Sequence, residues 1–182
     1  MTVWIASTNR ENWEVIRENN LWGVPKRNKN SIERSNPKDK ILIFVKQEVV
    51  RQEKTNLDAD TGVDAGLNTG VGADVVADED TGDEVIPSAI TGAFEIISRP
   101  FEDESPVFKK PPTMPGEEAF PYRVKLKPVE VFDEPLDFKS LIPKLEFITN
   151  KKQWTGHLRT AMRTIPEADY EYIMKAAKTP RG

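Results

Sequence analysis

The sequence predicts an α+β fold organised around a strongly bent sheet or small barrel, and three observations predict it. Short apolar or alternating runs of strand length recur along the chain. Helix-start signatures are few and lie near its two ends. With 182 residues and 37% hydrophobic content, the chain can bury one real core. Several short strands with few helices are the pattern of an α+β domain.

The elements follow in order. Residues 2–7 (TVWIAS) read as the first strand. Thr8 and Glu11 then stand at capping-box spacing, so a helix is expected from about Asn9 to Asn19, with Trp13 and Ile16 facing the core. LWGVP (21–25) reads as a loop punctuated by Gly23 and Pro25, and the stretch from Lys26 to Lys38 is polar and basic. ILIFV (41–45) is continuously apolar and branched, as a strand buried on both faces would be. AITGAFEIIS (89–98) is another strand, followed by a proline-punctuated loop. In YRVKLK (122–127), Tyr122, Val124 and Leu126 alternate with Arg123, Lys125 and Lys127, which places the bases on one face. Val129 to Phe132 continues it beyond Pro128. LEFI (145–148) reads as a last strand and Leu158 to Arg163 as a short helix. Thr164, Pro166 and Glu167 start a final helix to about Lys178, with Ala168, Tyr172 and Ala176 as its core stripe beside Ile173.

The net charge of −4 hides an uneven distribution. Residues 51–86 hold ten acids against Arg51 and Lys54, and the rest of the chain holds 24 bases and 20 acids. The body is therefore mildly basic. Repeated DTG and NTG triplets and the loss of aromatics mark residues 51–86 as a flexible acidic insertion into a single domain spanning 1–182.

Composition narrows the chemistry. Cysteine is absent, which removes disulfides, thiolate metal sites and a cysteine nucleophile. One histidine, His157, is too few for a zinc site, and no G-x-S-x-G elbow presents a serine to it. His157 reads as a surface or helix-start residue. Gly70-Val71-Gly72 lacks the third glycine, the strand and the helix of a dinucleotide loop. Calcium loops started at Asp58 or Asp78 put Thr69 or Ala89 where the bidentate glutamate belongs. No metal and no cofactor are expected. The N-terminus, MTVWIASTNRENW, lacks a signal peptide's basic start and long apolar middle, and no apolar run would span a bilayer. A soluble, cytoplasmic chain is the expectation, and its oligomeric state is left open.

Three basic clusters carry the functional reading. Lys26, Arg27, Lys29 and Arg34 crowd one stretch; Arg123, Lys125 and Lys127 share a strand face; and Lys151, Lys152, Arg159 and Arg163 surround Trp154. Phosphates need such charges, and neighbouring aromatic rings can stack bases at about 1–3 kcal/mol each. A merely solubilising surface would look the same by charge alone. Trp4 and Trp13 suit the core, whereas Trp22, followed by Gly23 beside the first cluster, is the best pocket candidate.

VWIASTNRENWEVI, LWGVP, NPKDKILIFVKQ, GAFEIISRPFEDES, FPYRVKLKPV and FITNKKQW, in this order and spacing, resemble the EVE domain family, a branch of the PUA-like superfold related to YTH domains. The resemblance covers nearly everything outside residues 51–86. It implies a small PUA-like β-barrel with flanking helices and an aromatic-lined pocket for a flipped or modified nucleobase of DNA or RNA. By position it implies Thr8 and Asn9 as base-edge readers, Trp22, Gly23 and Val24 beside the pocket, Asp103 after the Pro100-Phe101 pair, and Tyr122 with Arg123 at a strand start. Lys26, Arg27, Lys29, Arg34, Arg123, Lys151 and Lys152 would hold phosphates, with Trp154 a secondary aromatic. The family's Pro-Gly-Asp turn reads Pro37-Lys38-Asp39 here, which puts a positive-φ turn in question.

Three functions remain open at this point. One is a non-enzymatic reader of a modified or flipped base. A second is a hydrolase or nuclease like PUA-like relatives of the ASCH type, with Lys46 and Glu48 as nominal candidates. A third is a protein-interaction module using the acidic insertion.

Overall fold

A computed structural model of the chain describes residues 1–50, 84–108 and 120–178. The acidic run 51–83, with its glycine pair and aspartates, lies outside the described residues. The insertion's last three residues are ordered in a strand: Glu84–Ile86 (β5) pairs antiparallel with Glu48–Val50 (β4) as a separate two-stranded ribbon.

The main sheet is mixed and curled. β1 (Val3–Thr8) lies parallel to β3 (Lys40–Val45) and antiparallel to β9 (Met162–Ile165). β3 pairs with β6 (Ala89–Ile96), which pairs with β8 (Tyr122–Asp137), which pairs with β2 (Leu21–Val24). The short β7 (Phe101–Glu102) joins the start of β8. β8 has 16 residues and serves two sets of partners: Tyr122 to Lys125 hold β2, and Leu126 to Asp137 run along β6. Register shifts at Ile90/Gly92 and Ala93/Phe94 bend this ladder. The expected PUA-like barrel is thus a curled half-barrel, flanked among the described residues by four helices.

Both faces of the sheet are covered, which explains why ILIFV does not alternate. Leu42 and Phe44 join Val3 and Ile5 in one cluster, while Ile41, Ile43 and Val45 join Trp4 and Ala6 in the other. α1 (Arg10–Asn19) and β2 contribute to the second cluster through Trp13, Ile16, Trp22 and Val24, and α2 (Lys29–Glu33) adds Ile32. α3 (Phe138–Leu141) and α4 (Glu167–Lys178) close the first.

Several local expectations are corrected. The cap of α1 is Asn9, whose side chain accepts from the Asn12 N–H at 2.8 Å, because Thr8 still belongs to β1. LWGV is a strand, since pairing with β8 satisfies its backbone. The basic stretch after it holds a 3-10 turn, Lys26–Asn28, and α2. Residues 145–148 form no strand: the carboxylate of Asp169, buried in the first turn of α4, takes the Glu146 and Phe147 N–H groups at 2.8 and 2.9 Å. A 3-10 turn (Trp154–Leu158) and β9 replace the helix expected over 158–163. Thr164 lies in β9 and caps nothing, and the buried positions of α4 are Asp169 and Ile173, with Ala168 exposed. Lys38 does adopt the positive φ of its turn, at 81°, held by Asp39. That carboxylate accepts from the Thr2 N–H, the Trp4 Nε1–H and the Asn36 N–H.

Candidate functional site

The site builds from two neighbouring groups. The first gathers on β2, β7 and β8, where register places Val24 opposite Tyr122 and Gly23 opposite Arg123, with Phe101 and Glu102 on the other side of β8. Gly23 is needed for close approach: a Cβ there would lie 2.6 Å from the Phe108 ring and 3.1 Å from the Phe120 carbonyl oxygen. Phe108 and Phe120 meet edge-on with centroids 5.8 Å apart. Phe108 therefore lies directly on the Trp22-Gly23-Val24 strand.

Arg123 fastens this arrangement. Its Nε donates to the Phe120 carbonyl at 3.0 Å, its Nη1 to the Ser105 Oγ at 3.0 Å, and its Nη2 to the Ser105 carbonyl. Asp103 Oδ2 stands 3.5 Å from Nη1, and the guanidinium lies over the Phe108 ring. Burial pulls the Arg123 pKa below its ordinary value and Asp103 opposes that pull. The side chain is wholly buried, so Arg123 is not the exposed phosphate contact expected from strand alternation. The segment from Phe101 to Phe108 covers the face on which Lys125 and Lys127 remain exposed.

Asp103 accepts from the Ser105 N–H at 2.9 Å, and the Ser105 donors hold its carboxyl below the usual carboxylate range. Desolvation pushes the other way, and Arg123 adds a smaller lowering. Its oxygens are engaged in holding the 103–108 segment and Arg123. Tyr122 is half-buried, with the Lys29 ammonium 5.3 Å from its ring centre. Trp22 is only 3% exposed, and its Nε1–H points to the Met162 sulfur at 3.5 Å. Its ring offers no open face in this conformation.

The second group stands at the carboxyl ends of the parallel strands β1 and β3. Thr8 is buried opposite Val45, and its carbonyl accepts the Lys46 N–H at 2.9 Å. Asn9, half-buried, starts α1 beside them. Lys26, Arg27 and Lys29 are exposed just beyond Val24 and Pro25. The Lys46 pKa is lowered, first by desolvation of its ammonium and then by Arg27, although much of the residue remains solvent-exposed. Sequence reasoning named Lys46 only as a nominal catalytic lysine. It passed over Phe108 and Phe120, because LWGVP reads as a loop in the sequence, and only a glycine set in a strand signals a close neighbour.

The remaining expected residues lie elsewhere. Arg34 sits over the Trp4 ring at 5.9 Å, and Trp4 is roughly 13 Å along β1 from Thr8. Trp154 belongs to the opposite face, packed on Phe44 and Phe138. It is core rather than a stacking platform. Lys151 donates to the Ile142 and Leu145 carbonyls at 3.0 and 2.6 Å, so its ammonium closes a 3-10 turn instead of reaching phosphate. Lys152 is exposed on that same opposite side.

His157 is half-buried and its Nε2 accepts the Asn150 N–H. Among the described residues, no group of three acids or histidines could hold a metal, no ion pair or hydrogen bond joins Lys46 to Glu48, and no helix is long and apolar enough to cross a membrane.

Comparison with known proteins places this geometry in context. A UPF0310 protein of Pyrococcus horikoshii is 40% identical over 176 residues, covering 96% of this chain and 98% of its own. The human THYN1 protein, solved in complex with 5-methylcytosine-containing DNA, superposes with a TM-score of 0.55 at 8% identity over 100% of both chains. The YTH domain of Zygosaccharomyces rouxii MRB1, solved with N6-methyladenosine RNA, gives 0.55 at 12% identity, covering 100% of this chain and 89% of that one. At these identities the two structures establish a shared fold. The model of the EVE domain matches residues 2–176, and with the extent of the Pyrococcus match this shows that the chain belongs to the EVE domain family.

Proposed function

We propose that this chain is a non-catalytic nucleic-acid reader that takes a methylated base between the first turn of α1 and the Trp22-Gly23-Val24 strand. The observation that carries this reading is the fold: two proteins that share it across the whole chain, THYN1 and a YTH domain, were solved on 5-methylcytosine DNA and N6-methyladenosine RNA. The exposed Lys26, Arg27 and Lys29 supply positive charge beside the same strand. Asn9 is the edge reader in this reading. Its Oδ1 is committed to the helix cap, which leaves the Nδ2 amide to donate to a base acceptor. Trp22 supplies the stacking ring, and a base that reaches it displaces Phe108 from Gly23. Burial of a base methyl adds about 0.8 kcal/mol. Asp103 acts by holding Arg123 and the covering segment, not by touching the base.

Fluorescence anisotropy with short labelled DNA and RNA strands, methylated and unmethylated, tests the reading. Asn9→Asp is the informative variant, because it keeps the cap oxygen and removes the amide donor. The expected result is preference for one methylated strand, lost in Asn9→Asp with the melting temperature unchanged. Salt-sensitive binding blind to methylation reduces the proposal to a basic backbone-binding surface, and binding to none of the strands overturns it.

A further inference from the structure

The main sheet ends on β2 at one side and on β9 at the other, and among the described residues neither terminal strand has a second strand partner. The curl brings these two ends together through side chains. Trp22 of β2 reaches Met162 of β9, its Nε1–H pointing to the sulfur at 3.5 Å across 140 positions of sequence. Both residues are buried, at 3% and 1% exposure. The register partner of Met162 on β1 is the small Ala6, which belongs to the same cluster as Trp22. An indole N–H can only donate, and a thioether is a weak acceptor. Trp4 shows the stronger alternative, with its Nε1–H on the Asp39 carboxylate at 3.1 Å. The bond to Met162 engages the edge of the Trp22 ring and neither of its faces. It fixes how the ring turns about its last side-chain torsion, which is otherwise broad. The other neighbour of this strand, Phe108, covers Gly23 from a segment that Arg123 holds through Ser105. Phe108 thus sits on a surface segment, whereas Met162 is built into the sheet.

We propose that Met162 is a positioning residue of the reader site: its sulfur holds the Trp22 ring in one orientation while Phe108 leaves and the methylated base stacks. This role rests on the reader function proposed above. A ring fixed before binding loses no further torsional freedom when a base stacks on it, which strengthens the stacked complex without any contact between Met162 and the base.

Met162→Leu tests it on the full chain, because it keeps the side-chain volume and removes the acceptor. Affinity is measured for the methylated strand that the native protein prefers and for the same strand with an abasic site in place of the methylated base. The Trp22 indole N–H resonance, assigned by its absence in Trp22→Phe, is recorded by NMR without ligand. The expected result is binding about fivefold weaker on the methylated strand and unchanged on the abasic strand. The Trp22 resonance should shift and its proton should exchange faster with solvent. Native affinity for the methylated strand, or an unmoved Trp22 resonance, overturns the positioning role and leaves the reader reading intact. Equal loss on both strands also overturns it, since a residue that serves only the fold cannot tell a base from its absence. A native protein that binds no methylated strand overturns the reader reading, and the positioning role with it. Should Met162→Leu fail to fold, norleucine incorporated in place of methionine exchanges the sulfur for a methylene at the same length, and the same outcomes decide.

Discussion

Residues 22–34 and residues 151–163 each set lysines and arginines beside a tryptophan, on opposite faces of the same sheet, and they do different work. In the first region Lys26, Arg27 and Lys29 stand in solvent beyond a strand whose glycine admits an aromatic neighbour. In the second, Lys151 is tied to two carbonyls, Arg163 donates to the His157 and Thr164 carbonyls, and Trp154 is wedged among phenylalanines. The difference lies in the donors left over. A cation whose N–H groups already satisfy a turn contributes to the fold, and one whose charged end stays in solvent can meet a ligand.

The sharpest way to break this comparison is Trp154→Ala. Losing a ring packed against Phe44 and Phe138 should cost about 3–5 kcal/mol by urea unfolding, with strand affinity per folded molecule unchanged. A loss of affinity in the folded fraction would mean that the second region also binds.

Arg123→Met should cost about 3 kcal/mol, because the Phe120 and Ser105 carbonyls lose a buried charged donor. It should also weaken binding indirectly, as Phe108 leaves Gly23. Replacing Lys26 and Lys29 together by Gln should weaken strand binding about tenfold and flatten its salt dependence, whereas Lys152→Gln should do neither. Lys38→Gly should raise stability by about 0.5–1 kcal/mol, since φ of 81° strains any residue with a Cβ.

The smallest effect is on pH dependence. The Asp103 carboxyl is depressed in the folded state by its Ser105 donors, so its contribution is present above its unfolded pKa near 4 and is lost as pH falls through the lower folded value. Asp103→Asn should make the acid side of the stability profile shallower in equilibrium unfolding at a series of pH values.

The fold class and the long elements were legible because burial writes itself as periodicity. Continuous apolarity in ILIFV matches a strand buried between two clusters, and Trp13 and Ile16 do face the core. The misreadings share a physical cause. A carboxylate distant in sequence decides the fate of 145–148, because Asp169 takes the N–H groups that a strand would have used. Alternation places Arg123 outward, but the segment from Asp103 to Phe108 folds over that face and turns an exposed position into a buried one. The same limit applies to the candidate site: Lys26, Arg27 and Lys29 stand out as a run of charge, whereas the place of Lys46 beside Thr8 exists only once parallel strands bring residues 8 and 45 together.

The ribbon of β4 and β5 has a consequence for how this chain can vary. Val50 and Glu84 are partners in its ladder, so the chain leaves and re-enters the domain at a single point. Any sequence that joins Val50 to Glu84 closes the same two-stranded ladder, whatever its length. Doubling the length of such a connection costs only about 0.6 kcal/mol of closure entropy, and shortening it returns as much. The position is therefore a natural splice point, where sequence could be gained, exchanged or excised, or a foreign domain grafted, without re-registering any strand of the main sheet.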